Sequence, residues 1–350
     1  NVTSLSFGDR MVYNLPLATK ERTMLEEFRR VLVTGGAGFI GSHLAATLLS
    51  LGKEVVVFDN LSTGLERNLP QGATLIIGDV RNPEQVTQAI QGADLIFHVA
   101  ANASGTVSVN NPRLDFESNV CGTFNVLDAA LQTRVKKFIY VSSASVYGVP
   151  QRFPIREDHP TSPFVPYGAS KLAGEICCRS FFHSYELPMV IGRPFCVYGL
   201  GENPESALVE VSRYLRWHLN GKPIRIIGDI DRKTRDFVHV NDVVQSLLLI
   251  ADHAAEGEVF NLGAGTEVTM RELASIIGSV TGKQPIVETI ADIVEDTYRL
   301  VSDISKVRGL GYVPKVSLAE GVRRLVEELG QHPQMPSGAT IFKRGQRGEM

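Results

Sequence analysis

The sequence has few cysteines: Cys121, Cys177, Cys178 and Cys196 are the four in 350 residues. That is too few for a disulfide framework, and they lack the paired C-x-x-C spacing of a zinc site. Adjacent Cys177 and Cys178 are poorly disposed to bridge each other, so the four read as small buried thiols of a reducing compartment. No run approaches the ~18 apolar residues of a membrane span. Residues 1–30 lack the apolar core of a signal peptide. Together these absences predict a cytoplasmic protein with no membrane partner. An excess of one charge is lacking too: 35 basic residues against 38 acidic leave −3, no electrostatic footprint for a nucleic-acid backbone. Any phosphate bound here must be held by a few local groups. The histidines, His98 and His239 among them, show no ligand spacing, so structural roles and no metal are expected.

What is present is an ordinary apolar content of 43% with 21% charged residues, which excludes disorder for the bulk of the chain. Short apolar runs recur, each followed by a helix-period stretch: Val31–Thr34 then Phe39–Ser50, Glu54–Phe58, Thr74–Ile77 then Pro83–Ile90, Asp94–His98, and Lys137–Ser142. Runs such as Val55 to Phe58 are apolar on both faces, as buried parallel strands are, and the intervening helices supply the crossovers. The pattern predicts an α/β, Rossmann-like doubly wound parallel sheet. Past about residue 190 the rhythm loosens into a smaller mixed α/β lobe, with helices expected at Ser206–Leu219, Asn241–His253 and Thr269–Gly278. The expected division is an N-terminal extension over 1–30, a cofactor-binding domain over 31–190 and a substrate lobe over 191–330, some of whose segments return to the sheet. A flexible tail is expected over 331–350.

Val31 to Thr34 run into Gly35-Gly36-Ala37-Gly38-Phe39-Ile40-Gly41. Glycines at these spacings allow a tight turn, the approach of backbone to a pyrophosphate, and close packing of helix on strand. The helix opening near Phe39 would aim free N–H groups at an anion. Asp59 follows Gly41 by 18 residues at the end of the second strand, placed to accept hydrogen bonds from an adenosine ribose and to repel a 2′-phosphate. With no arginine over Asn60–Gly64, the expectation is NAD rather than NADP.

Tyr167 and Lys171 form a Tyr-x-x-x-Lys at the start of a helix predicted over Pro166–Glu186, which sets them one turn apart on one face. Ser142 and Ser143 end the strand from Lys137, at the edge where such folds place chemistry. A phenol near pKa 10 is a poor base, but an ammonium and an oxidised nicotinamide nearby favour the phenolate, and a serine hydroxyl beside it can share the proton.

With these motifs in order the chain resembles the extended short-chain dehydrogenase/reductase family, in its NAD-dependent sugar-nucleotide epimerase/dehydratase group. Further matching stretches are Asp59-Asn60-Leu61-Ser62-Thr63-Gly64, Gly78-Asp79-Val80, His98-Val99-Ala100-Ala101, Asn119-Val120-Cys121-Gly122-Thr123, Arg193-Pro194-Phe195 and Arg235-Asp236-Phe237. The resemblance, over about 31–330, implies catalytic Ser143, Tyr167 and Lys171. It implies a cofactor set of Gly35, Gly38, Phe39, Ile40, Gly41, Asp59, Asn60, Ser62, Gly64, Asp79, Val80, Ala100 and Ala101, joined by Tyr167 and Lys171. It implies a substrate set of Ser143, Tyr167, Cys196, Arg235 and Leu300, with Arg235 on the diphosphate.

Family members that are 4,6-dehydratases carry an Asp-Glu pair just after the catalytic Ser or Thr, and decarboxylases a Glu at the second position. Here Ala144 and Ser145 stand there, which leaves 4-epimerisation of a UDP-hexose as the best match. A dehydratase or reductase of a specialised pathway, and a non-catalytic NAD-sensing protein, are the alternatives. Three positions bear on the substrate. Cys196 replaces an Asn, Ile293 replaces an Arg, and Leu300 replaces a Tyr that blocks N-acetyl sugars in some 4-epimerases. Helices near Pro112–Leu131 and Pro166–Glu186 are expected to pair two copies into a homodimer, as in the family.

Overall fold

The computed structural model describes residues 24–205, 209–291 and 297–336. Most of the expected extension, the tail beyond 336, Ser206 and Ile293 lie outside the described residues. In the first half, strands β1 (Arg30–Thr34), β2 (Glu54–Asp59), β3 (Thr74–Ile77), β4 (Leu95–His98), β5 (Lys137–Val141) and β6 (Met189–Pro194) are each followed by helix or loop. The helices are α1 (Met24–Glu27), α2 (Phe39–Ser50), α3 (Pro83–Ala89), α4 (Gly105–Asn110), α5 (Pro112–Phe116), α6 (Gly122–Thr133) and α7 (Pro166–Tyr185). The second half adds β7 (Cys196–Tyr198), α8 (Glu210–Leu219), β8 (Ile224–Ile227), β9 (Thr234–Arg235), β10 (Phe237–His239), α9 (Val240–His253) and β11 (Val259–Leu262). After these come β12 (Val268–Thr269), α10 (Met270–Thr281), β13 (Val287–Ile290), β14 (Arg299–Leu300), α11 (Ser305–Arg308) and α12 (Leu318–Leu329).

Seven strands form one parallel sheet in the order β11-β6-β5-β4-β1-β2-β3. The apolar runs that announced these strands are buried because both faces are covered. On one face α2 and α9 pack Leu44, Leu48, Val243 and Leu247 against Val31, Val33 and Val55. On the other, α3, α6 and α7 pack Val86, Val126, Leu127 and Cys178 against Leu32, Val56, Ile96 and Phe138. Burying each such side chain fully is worth ~1.5–3 kcal/mol, so the three layers hold the strand ends rigidly. The chain winds outward from β1 to β3 and then crosses back to β4, opening a crevice over the carboxyl ends of β1 and β4. A separate apolar cluster joins α8, β8, β10, α10 and α12 through Tyr214, Leu215, Ile226, Phe237, Leu273 and Val322.

Four local expectations change. The stretch Pro112–Leu131 is not one helix: a π-turn over Glu117–Cys121 separates α5 from α6. The end of the expected extension, residues 25–30, packs onto the sheet domain. Leu25 and Phe28, one turn apart, are buried, and the Leu25 N–H donates to Asp252 on α9 (2.9 Å). Residues 331–336 are likewise docked, the carbonyls of Pro333 and Gln334 accepting from Asn220 and Arg216 at 2.8 Å each. Finally, α10 runs through Gly278 to Thr281 and ends at Gly282, whose φ of +68° suits a residue without a Cβ.

Candidate functional site

The loop from Gly35 to Gly38 joins β1 to α2. Gly35 has φ +69°, and a Cβ there would lie 2.7 Å from the backbone of Ala100; one on Gly41 would meet the Gly35 carbonyl at 2.2 Å. Only glycine lets the loop close this far on the turn after β4 and on the first turn of its own helix. No side chain caps α2, so the amides near Phe39 and Ile40 are left for an anion in the crevice.

Asp59 ends β2 and is buried, its two oxygens accepting from the N–H groups of Ala37 (3.0 Å) and Leu61 (2.8 Å). Burial pushes its carboxyl up and these two donors oppose the shift. The carboxylate thereby ties the glycine loop to the turn carrying Asn60, Ser62 and Gly64. Asn60 donates to Asp79 (2.9 Å) and accepts from the Ser62 N–H (3.0 Å). Asp79 pairs with Arg81 at 2.7 Å, and that hydrogen-bonded partner draws its carboxyl down to about 2. Val80 is buried, while Ala100 and Ala101 are half-buried after β4. The expected cofactor residues thus line the carboxyl ends of β1 to β4.

Beside them, Ser143 follows β5 and caps a short 3₁₀ turn over Ala144–Tyr147. Its Oγ accepts from the Ser145 N–H (3.1 Å) and from the Ser145 hydroxyl (2.9 Å). Tyr167 lies in the first turn of α7, where Pro166 opens the helix. A Cβ on Gly168 would sit 2.6 Å from the Ser145 carbonyl. This close approach sets the Tyr167 phenol beside Ser143, whose hydroxyl favours its ionised form. One turn on, buried Lys171 holds its ammonium 4.5 Å over the Tyr140 ring. Burial lowers Lys171 to about 8 against the pull of Glu175 and Asp115. Burial also raises Tyr167, opposed by the Ser143 hydroxyl and reinforced by Asp115. In the protein alone, then, the phenol stays protonated. Lys171 by itself does not hold it below its ordinary value.

The π-turn explains itself here. It carries Asn119, buried, whose amide donates to Asp115 (3.1 Å), Ser170 (3.0 Å) and the Asn102 carbonyl (3.2 Å). Thr123 reaches back to the Asn119 carbonyl at 2.6 Å. The wider turn lets Asn119 stitch the helix pair to α7 beneath Lys171. Sequence reasoning gave Asn119 no role of its own, passed over Glu175, and met Arg193 only within the Arg193-Pro194-Phe195 stretch, with no catalytic part. Glu175 sits two turns beyond Tyr167 on the same face of α7. It accepts from Arg193 on β6 (2.8 and 2.6 Å) and from the Ser142 hydroxyl (2.6 Å). Arg193 reaches on to the Tyr147 hydroxyl (2.9 Å), which donates to Asn261 (2.6 Å). The i+4 spacing from Lys171 to Glu175 was the available signal. His98 bridges Thr34 (2.7 Å) and Thr123 (3.0 Å), and burial holds it near 3, so it is neutral and structural.

In the second lobe, Leu300 on β14 pairs in register with Arg235 on β9 and packs against the cluster of Ala144, Tyr147 and Phe195. Cys196 on β7 donates its N–H to the Asp236 carbonyl (3.1 Å). Burial pushes its thiol far up, so it stays neutral. Arg235 is buried; its guanidinium pairs with Glu210 (3.3 Å) and donates to the carbonyls of Thr234 (2.9 Å) and Thr297 (2.7 Å).

A glycine cradle at a sheet switch point with an acid at the next strand end, beside a linked Ser, Tyr and Lys, narrows the comparison, and residues 31–263 match the NAD dependent epimerase/dehydratase family. The chain belongs to it. A UDP-glucose 4-epimerase of Mycolicibacterium smegmatis is 36% identical over 306 residues, covering 85% of this chain and 97% of that relative. Among solved structures, the Thermus thermophilus UDP-glucose 4-epimerase in complex with NAD superposes with a TM-score of 0.79 at 37% identity, over 85% of this chain and 98% of that one. The dTDP-glucose 4,6-dehydratase DesIV of Streptomyces venezuelae also reaches 0.79, at 32% identity over 85% of this chain and 96% of that one. The protein is therefore an NAD-dependent enzyme of the sugar-nucleotide epimerase/dehydratase family, with the expected Rossmann-like fold. Among the described residues no helix is long and apolar enough to cross a membrane, and no group of three or more candidate ligands is gathered to hold a metal ion.

Proposed function

We propose that this enzyme inverts C4 of a UDP-hexose through a transient 4-keto sugar. The observation that carries the reading is the turn after Ser143. Its first residues are Ala144 and Ser145, and Ser145 spends its hydroxyl on Ser143. Elimination of water needs a further acid and base beside the sugar, and this turn presents neither. The glycine loop, the free amides of α2 and Asp59 would hold NAD, which when bound supplies the hydride acceptor and a positive charge beside the phenol. That charge opposes the effect of burial on Tyr167.

Tyr167 takes the proton of the C4 hydroxyl and returns it, with Ser143 hydrogen-bonded to both phenol and sugar. Lys171, still largely charged at neutral pH, stabilises the phenolate from one turn away and orients the nicotinamide ribose. Cys196, Arg235 and Leu300 line the nucleotide-sugar side. Arg235 meets the diphosphate, and Leu300 leaves room for a 2-acetamido group. We further place the enzyme in the cytoplasm, in keeping with four free thiols, of which, against expectation, only Cys178 is fully buried and Cys121 is exposed, as a homodimer formed through α5, α6 and α7.

Purified protein mixed separately with UDP-glucose and UDP-N-acetylglucosamine, with no NAD added, is expected to form each 4-epimer, read by anomeric proton NMR. No epimer from any UDP-hexose, or release of water instead, would overturn the reading. Tyr167→Phe is expected to lower turnover at least 100-fold while the NAD released on denaturation stays at wild-type stoichiometry.

A further inference from the structure

Arg235, assigned to the substrate diphosphate, already has a carboxylate partner. Its Nε lies 3.3 Å from Glu210 Oε1, with the two side chains only 9% and 13% exposed. Glu210 opens α8, and its neighbours add two further cations. Arg213, one turn along the helix, lies over the rings of Tyr214 and Trp217 (5.6 Å to each centroid). Buried Lys233 sits two residues before Arg235. Burial works against the charged form of Glu210, but Arg235, Arg213 and Lys233 outweigh it, and the carboxyl stays below its usual range. Glu210 is thus ionised at neutral pH.

A buried arginine held by one carboxylate and by carbonyls has few N–H groups left over, because a guanidinium has five donors in a fixed fork. A diphosphate oxygen arriving at Arg235 meets a like charge within one residue's reach. We propose that Glu210 is a resident counterion of the substrate pocket, which the diphosphate must displace from Arg235. Glu210 thereby sets how tightly the pocket grips diphosphate esters. The inference rests on the reading that Arg235 meets the diphosphate. It assigns a specificity-determining role to a residue at the start of α8, 25 positions before its partner.

The test uses the full chain loaded with NAD, so that the glycine loop is closed to the probe. Wild type, Glu210→Gln and Glu210→Ala are titrated calorimetrically with inorganic pyrophosphate and with UDP. Both variants are expected to bind each probe five-fold or more tightly, with a steeper loss of affinity as salt rises. In an Arg235→Gln background the same replacements are expected to change little, since the competition then has no object. If Glu210 merely holds Arg235 in place, the variants bind pyrophosphate equally or more weakly, and the proposal is overturned. Tighter pyrophosphate binding without turnover of any UDP-hexose supports the counterion and removes the epimerase reading. Turnover with unchanged pyrophosphate binding does the reverse.

Discussion

Glu202 shows how one residue can make stability depend on pH. It is half-buried in the segment after β7, where it accepts from the Gly199 N–H (3.2 Å) and from the Ser212 hydroxyl. That segment spans the two halves of the molecule: His43 on α2 bonds the Leu200 carbonyl (2.9 Å), Asn68 the Gly201 carbonyl (3.0 Å), and Asn203 the Thr63 carbonyl (3.0 Å). Burial raises the Glu202 carboxyl from 4.5 to about 7, with Ser212 and Gly199 opposing. A raised acid binds its proton more tightly in the folded state, so its contribution is complete below about pH 4.5 and is lost as pH rises through about 7. The loss amounts to at most about 3 kcal/mol. Glu202→Gln keeps an acceptor for both donors and cannot ionise. Urea unfolding between pH 5 and 8 is expected to show a decline in wild type that the variant flattens; parallel curves for the two would refute this.

Among the elements, α7, which carries Tyr167 and Lys171, is anchored by the buried pair of Glu175 and Arg193, 1% and 2% exposed. Removing one partner leaves an uncompensated buried charge, at a typical cost of ~3–5 kcal/mol, whereas replacing both by apolar residues can be nearly neutral. Arg193→Met is therefore expected to lose about that much stability in denaturant titrations. The double variant with Glu175→Leu is expected to recover more than half of the loss. A double variant no more stable than Arg193→Met would show that the pair is not the anchor. The elements also show what the sequence makes legible. Strands β1, β2, β4 and β5 could be read because a strand buried on both faces must be apolar along its length. The π-turn was invisible, since hydrophobic periodicity over Pro112–Leu131 barely registers one extra residue. The glycine loop and the Tyr167 to Lys171 spacing were legible because each is local. The partners of Glu210 and Arg193 were not, because they come from elements far off in sequence.

For the molecule as a whole, the dimer is the chief expectation. Phe116, Phe124 and Ile176 are 55%, 49% and 60% exposed on neighbouring α5, α6 and α7, an apolar strip on the face opposite the sheet. Sedimentation equilibrium is expected to give twice the 38.3 kDa chain mass, and Phe124→Glu with Ile176→Glu to return it to one; an unaltered mass in the double variant would place the interface elsewhere. The second half of the molecule is continuous with the sheet, since α9 and β11 come from it and pack beside α2 and β6. A π-turn holds one residue more than an α-helix needs to cover the same path. Between Glu117 and Cys121 the chain is therefore one residue longer than its fold requires. Aligned against relatives, a single-residue gap there would fall inside a helix and leave the sheet intact, yet it would move Asn119 and its bonds to α7 rather than trim a tolerant loop.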